Sequence, residues 1–201
     1  MNIYVIGDSI SMHYGPYLEE LCSGKYGYGR KNGSEGYDNL DIPKGANGGD
    51  SAMVRKFVER QGENGAFGYD TVLLNCGLHD VKRLDGDYQV DIKEYKNNLK
   101  ALAKLFKEKG VKIVWVRTTP VFDAVHNAYN RSFQRYDADV QSYNAAADEI
   151  MKENAAGIID LYGFTMPYLP GGYIDHVHFN DDIRKKQAGF IFGKLQEILK
   201  G

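Results

Sequence analysis

Ile3-Tyr4-Val5-Ile6-Gly7-Asp8-Ser9 carries the chain from four apolar residues straight into a turn. A short apolar run bounded by turn residues reads as a buried strand. It delivers Ser9 to the carboxyl end of that strand, which is where an open α/β sheet keeps its chemistry. A Gly-Asp-Ser turn is also ordinary loop material, so the reading needs support from elsewhere. The far end of the chain provides it in Asp175-His176-Val177-His178, a carboxylate and an imidazole able to activate a serine hydroxyl.

Working outward from that stretch, short apolar runs alternate with longer segments of helical period, the pattern of a βαβ series and a mostly parallel sheet. Candidate strands cover residues 2–6, a weaker one 38–42, then 71–76, 111–118 and 157–161. Residues 94–109 put Tyr95, Leu99, Leu102 and Phe106 on one face, with Asp91 and Glu94 spaced as a capping box and Gly110 as the stop. Val140, Tyr143, Ala147 and Ile150 form a second stripe. Ile183, Gln187, Ile191, Leu195 and Ile198 form a third with one polar interruption. The glycine- and tyrosine-rich residues 24–49 read as irregular loop, and residues 120–136 as a loop walling the pocket at a strand's carboxyl end.

Composition narrows the classes. The 201 residues fit a single domain over residues 1–201, long enough to bury a core without disulfides or metal. Lys and Arg total 25 against 27 Asp and Glu, a formal net charge of -2 that offers no general attraction to nucleic acid or to an anionic membrane. No run approaches the apolar length of a membrane span. The strand starts directly after Met1, leaving no room for a secretory leader, so cytoplasmic residence is the expectation unless a leader was trimmed. Two cysteines, Cys22 and Cys76, are too few for a disulfide scaffold and read as buried and reduced. Gly27-Tyr28-Gly29 lacks the spacing and strand-to-helix context of a dinucleotide site, and no phosphate loop is present.

A serine hydroxyl attacks only when a base removes its proton. Asp175 and His178 are three apart, so in a turn the carboxylate accepts from one ring nitrogen and the other faces Ser9. The rival is a metal site built from Asp175, His176 and His178, joined by His79 or Asp80, which would leave the strand-end serine without a purpose. Asn47-Gly48-Gly49-Asp50-Ser51 precedes a helical pattern, and a glycine there lets a backbone N–H approach a developing oxyanion. Cys76-Gly77-Leu78-His79-Asp80 follows the third strand in the same manner.

These strand-end turns, with the late Asp-x-x-His, Tyr143-Asn144 and Ile159-Asp160-Leu161-Tyr162, resemble the SGNH hydrolases, also called the GDSL esterase and lipase family. The resemblance implies a three-layer α/β/α sandwich, flavodoxin-like, with a five-stranded mostly parallel sheet. Ser9 near the start of the chain, followed by Ile10-Ser11, differs from the Gly-x-Ser-x-Gly elbow of α/β-hydrolases. It further implies Ser9 as nucleophile, His178 as general base and then acid, and Asp175 as the group orienting His178. The backbone N–H groups of Ser9 and Gly49 would face the oxyanion. The family places an asparagine amide at the remaining donor position. This chain has His79, whose N–H can replace the amide if Asp80 or a carbonyl fixes the tautomer.

The implied reaction is carboxylic ester hydrolysis through an acyl-enzyme, with no cofactor. The 15 tyrosines include Tyr14, Tyr17, Tyr26, Tyr28, Tyr37, Tyr129, Tyr136 and Tyr173 near the site loops, where some could stack on sugars while most serve packing. No apolar lid is visible, which points to a short acyl group such as acetyl on a carbohydrate. Lysophospholipase or thioesterase activity, a glycan-binding module that has lost turnover, and the metal hydrolase are the alternatives. Arg131 and Arg135 could meet an acidic substrate, although isolated loop arginines are more often solvated or paired on the surface. The sequence sets no oligomeric state.

Overall fold

The computed structural model describes residues 1–31, 40–63, 65, 67–130 and 132–200. Five parallel strands form the sheet: β1 (Asn2–Ile6), β2 (Gly27–Arg30), β3 (Thr71–Leu74), β6 (Lys112–Val116) and β7 (Gly157–Ile159). A two-stranded hairpin of β4 (Arg83–Leu84) and β5 (Asp87–Tyr88) stands apart. The helices are α1 (Ser9–Cys22), α2 (Ser51–Glu63), α3 (Ile92–Glu108), α4 (Asp123–Tyr129), α5 (Asp137–Glu153), α6 (Leu161–Thr165) and α7 (Asp181–Lys200). No helix among the described residues is long and apolar enough to cross a membrane.

Strand order is β2-β1-β3-β6-β7. The central registers, Val5 beside Leu73 and Leu73 beside Val114, join residues buried on both faces, as parallel strands covered by helices require. Helices α1, α6 and α7 pack together on one side, and α2, α3 and α5 on the other. The chain leaves β1 toward β2 on one side and returns to β3 on the other, so the carboxyl ends of β1 and β3 flank a topological switch point. Ser9 and His79 lie just beyond those two ends.

The helix expected at 94–109 runs Ile92–Glu108, with Asp91 capping it by accepting from the Lys93 and Glu94 N–H groups. Tyr95, Leu99, Leu102 and Phe106 are buried, as their spacing dictates. In α7 the polar interruption is half satisfied: Gln187 Nε2 donates to Thr165 Oγ1 at 3.2 Å, while Oε1 is buried without a hydrogen-bond partner among the described residues. Cys22 and Cys76 are free and buried.

Two expectations need correction. The second strand is Gly27–Arg30, inside the stretch read as loop, and not 38–42: residues 40–42 form a turn and bend, while 38–39 lie outside the described residues. Its two glycines outweigh the strand propensity of Tyr28, and β1 holds it by backbone pairing from Asn2 to Val5 at the sheet edge. Residues 120–136 are not wholly loop, because α4 forms there and buries His126.

Candidate active site

Asp8 builds the first wall of the site. Its side chain caps α1 by accepting from the Ile10 N–H at 2.9 Å, which fixes Ser9 in the first helical turn, where backbone N–H groups have no intrahelical acceptor. Ser9 is 2% exposed. On the opposite wall, Asp175 Oδ1 accepts from the N–H groups of Val177 and His178, each at 2.8 Å, and winds residues 175–178 into a tight turn. Asp175 Oδ2 lies 2.7 Å from His178 Nδ1. His178 Nε2 lies 2.8 Å from Ser9 Oγ, across 169 residues of sequence.

Burial works to raise the Asp175 carboxyl, but the hydrogen bond and charge of His178, with the two backbone donors, hold it well below the usual carboxylate range. An ionised carboxylate only accepts, so His178 Nδ1 carries a proton and Nε2 offers its lone pair to the Ser9 hydroxyl. The His13 ring packs edge-on against His178, centroids 5.1 Å apart, and is itself kept neutral by burial, which pushes it down to about 3.

Gly49 has φ +74, and a Cβ there would lie 2.7 Å from Met53 Sδ and 2.8 Å from Pro43 Cβ, so both backbone and space demand glycine. Its N–H donates to Asn47 Oδ1 at 3.0 Å. For the expected oxyanion role this N–H would have to be shared with, or taken from, Asn47 Oδ1, a refinement the sequence did not reveal. Gly77, at φ +147, lets the β3 turn pass Thr118, whose Oγ1 would be 2.4 Å from any Cβ.

His79 is buried at the switch point, and burial with the charges of Lys82 and Arg135 holds it well below the ordinary imidazole range, so the ring is neutral. Its Nδ1 is buried without a hydrogen-bond partner among the described residues. Of the two groups expected to fix its tautomer, Asp80 turns elsewhere, and among the described residues no backbone carbonyl meets Nδ1. Both Asp80 oxygens accept from the Ser51 N–H, at 2.9 and 3.0 Å, because the side chain turns under the start of α2 and ties that helix to the β3 turn.

Burial raises the Asp80 carboxyl to about 7, with the Ser51 bonds working the other way. The folded protein thus keeps a proton that the unfolded chain releases, and stability is lost as pH rises from the unfolded value toward 7. We expect a decline of roughly 1 kcal/mol per pH unit between about pH 4.5 and 6.5 in urea titrations, and Asp80→Asn to remove it. Identical profiles for wild type and variant contradict this.

The rival metal set is drawn apart. His176 turns away from His178, its Nδ1 meeting His126 Nδ1 at 2.8 Å and its Nε2 meeting Asp41 Oδ2 at 3.2 Å. Among the described residues no group of three or more His, Cys, Asp or Glu side chains is placed to hold a metal ion.

Sequence reasoning missed His126, Asp41 and Lys82 as neighbours of the site, since no local pattern announces contacts made across a loop. Of the tyrosines singled out, Tyr14 is core, Tyr28 bonds Gly15 O, Tyr173 bonds Pro120 O and Tyr136 bonds Gln134. Tyr17 bonds Asp181, and Tyr26 packs edge-on against Phe192. Tyr129 differs, being 68% exposed while stacked on His176 with centroids 5.2 Å apart. Tyr37 and Arg131 lie outside the described residues. Asn144 clamps the end of β6, with Oδ1 and Nδ2 bonding the N–H and carbonyl of Thr118, each at 2.9 Å.

A parallel sheet whose first strand ends in a serine bonded to a distant imidazole defines an α/β sandwich hydrolase. The chain belongs to the GDSL-like lipase/acylhydrolase family, whose profile matches residues 3–190, and is a carboxylic ester hydrolase. Its fold is shared with an acetyl xylan esterase at 16% identity and a TM-score of 0.70, covering 96% of this chain and 98% of that one. A lipase/acylhydrolase from Enterococcus faecalis superposes at 16% identity and TM-score 0.69, covering 98% and 96%. A GDSL-like lipase from Bacteroides thetaiotaomicron does so at 17% identity and TM-score 0.68, covering 99% and 88%. No curated protein matches the chain.

Proposed function

We propose that the protein is a serine esterase that removes short acyl groups, acetyl foremost, from a carbohydrate carrier. The observation that carries the reading is the unbroken line Asp175 Oδ2, His178 Nδ1, His178 Nε2, Ser9 Oγ, with separations of 2.7 and 2.8 Å. His178 takes the Ser9 proton as Oγ attacks the ester carbonyl and returns it to the departing alcohol. Water then repeats the sequence on the acyl-enzyme. Asp175 holds the ring in the tautomer that this needs. The N–H groups of Ser9 and Gly49 and the His79 imidazole face the oxyanion.

The carbohydrate part of the reading draws on two things: the acetyl xylan esterase among the structural neighbours and the exposed Tyr129 ring beside His176. Hydrolysis rates across 4-nitrophenyl esters of two to twelve carbons, run beside acetylated sugars, test the proposal. It predicts a maximum at two to four carbons and turnover of the sugars; a maximum at eight carbons or beyond favours a lipid substrate instead.

His79 is tested apart from the rest. A neutral imidazole donor is worth as much as the amide it replaces, so His79→Asn should keep kcat within about tenfold while His79→Ala loses about 10²–10³-fold. Comparable activity in all three proteins removes His79 from the chemistry.

A further inference from the structure

Side chains that the ester chemistry leaves unused gather around one ring, that of Phe133. The Arg135 guanidinium carbon lies 4.8 Å from its centroid, Lys82 Nζ 4.5 Å, and the His126 ring 5.6 Å. Both cations are buried, Arg135 to 1% exposure and Lys82 to 6%. Among the described residues neither has a carboxylate within ion-pairing distance. Their hydrogen bonds go to backbone, Arg135 Nε to Leu78 O at 2.7 Å and Lys82 Nζ to Asp41 O at 3.1 Å. Among the described residues, Arg135 Nη1 and His126 Nε2 are buried with no hydrogen-bond partner.

Two more exposed arginines, Arg83 and Arg117, are treated differently. Arg83 grips Asp139 through two bonds of 2.9 and 2.7 Å, and Arg117 spans Asp148 and Asp160. Those side chains are 31% and 28% exposed. The fold pairs these half-exposed guanidiniums and, among the described residues, gives the buried Arg135 no carboxylate in contact, Asp41, Asp8 and Asp175 acting on it only as longer-range charges, the reverse of what desolvation alone favours. Burial accordingly pushes Arg135 down to about 10 and Lys82 down to about 8, the latter with help from the Arg135 charge. The expectation of a solvated or surface-paired Arg135 is thereby overturned.

The cluster reaches the catalytic groups through intermediate residues, and the Asp8 and Asp175 charges act on Arg135. Arg135 holds the carbonyl of the residue before His79, and His126 contacts His176, whose ring centroid is 6.1 Å from that of His178. We infer that Arg135 and Lys82 form a subsite for a carboxylate carried by the ester substrate, so that the enzyme selects acidic esters over neutral ones. The planar guanidinium fork suits two carboxylate oxygens, Lys82 adds a second charge, and half-buried Phe133 lies between them as the cover that yields to the ligand. The inference rests on Ser9 as nucleophile only in assigning the anion to the ester that Ser9 attacks.

Two matched pairs of esters provide the test. One is 4-acetoxybenzoate against its methyl ester, with the charge on the leaving alcohol. The other is 4-nitrophenyl hydrogen glutarate against 4-nitrophenyl pentanoate, with the charge on the acyl group. Each kcat/KM is divided by the hydroxide-catalysed rate constant of that ester, which cancels intrinsic reactivity. Wild type should favour the acid in at least one pair by about tenfold or more, and Lys82→Met and Arg135→Lys should bring that ratio to within about threefold of one. Because each ratio comes from a single preparation, partial unfolding of a variant cancels. Wild-type ratios of one or less in both pairs overturn the subsite, and so does a preference that Lys82→Met leaves intact. Calorimetric binding of 4-acetoxybenzoate and its methyl ester to Ser9→Ala reads the subsite without turnover. Charge-selective binding in a protein whose wild type hydrolyses nothing would sink the nucleophile and keep the subsite, whereas turnover without charge preference does the opposite.

Discussion

Ser9→Ala should lower kcat on any ester by about 10⁴-fold or more, with KM changed little, because the acyl-enzyme can no longer form while the binding surface persists. The size of the loss follows from how the hydroxyl is held. Ser9 is fixed by its place in the first turn of α1, and its Oγ has the His178 lone pair at 2.8 Å, so its removal also idles the base. In the proposed mechanism serine and histidine act as one unit, so His178→Ala should cost nearly as much as Ser9→Ala, with the double variant no worse than either. Additive losses would show that the two side chains work separately. Retention of more than about a hundredth of the wild-type rate in Ser9→Ala would be incompatible with a covalent route.

Asp175→Asn carries the second large effect. The amide of asparagine can donate to His178 Nδ1, which turns the ring into the tautomer with its proton on Nε2, facing Ser9 and unable to accept. We expect a fall of about 10⁴-fold in kcat with the fold intact. Asp175 Oδ1 also anchors the Val177 and His178 N–H groups, a role the Asn carbonyl retains, so the 175–178 turn should survive. Asp175→Ala removes both functions and should lose stability as well. The stabilisation that Asp175 supplies belongs to a carboxyl held below its unfolded value: it is complete above that value and disappears on acidification through the folded one. Acid unfolding curves of Asp175→Asn should accordingly be flatter than those of wild type.

The sequence exposed the parts of this protein whose physics is local. The run from Ile3 to Ile6 is apolar and closed by glycine, so it reads as a strand wherever it sits. The α3 helix carries its own cap in Asp91 and its own stripe. Strand β2 was hidden because Gly27-Tyr28-Gly29-Arg30 owes its conformation to the neighbouring backbone of β1, not to its side chains. Helix α4 was hidden for a related reason: it is seven residues long with no side-chain cap, and its buried His126 is held by His176, fifty positions away.

The site divides along the same line. Asp175 and His178 are three residues apart, and their contact was readable from spacing. That Asp80 would abandon His79 for Ser51 was not, because it depends on how α2 docks on the β3 turn. Nor could sequence show that Arg135 lies buried beneath Leu78, since an arginine in a polar loop carries no mark of its depth.

The most direct test is to react the protein with a fluorophosphonate, digest it, and locate the added mass. The account predicts one equivalent of phosphonate on the peptide containing Ser9, forming at a rate that collapses in His178→Ala. Label on another residue, or hydrolysis that continues after Ser9 is fully modified, would contradict it.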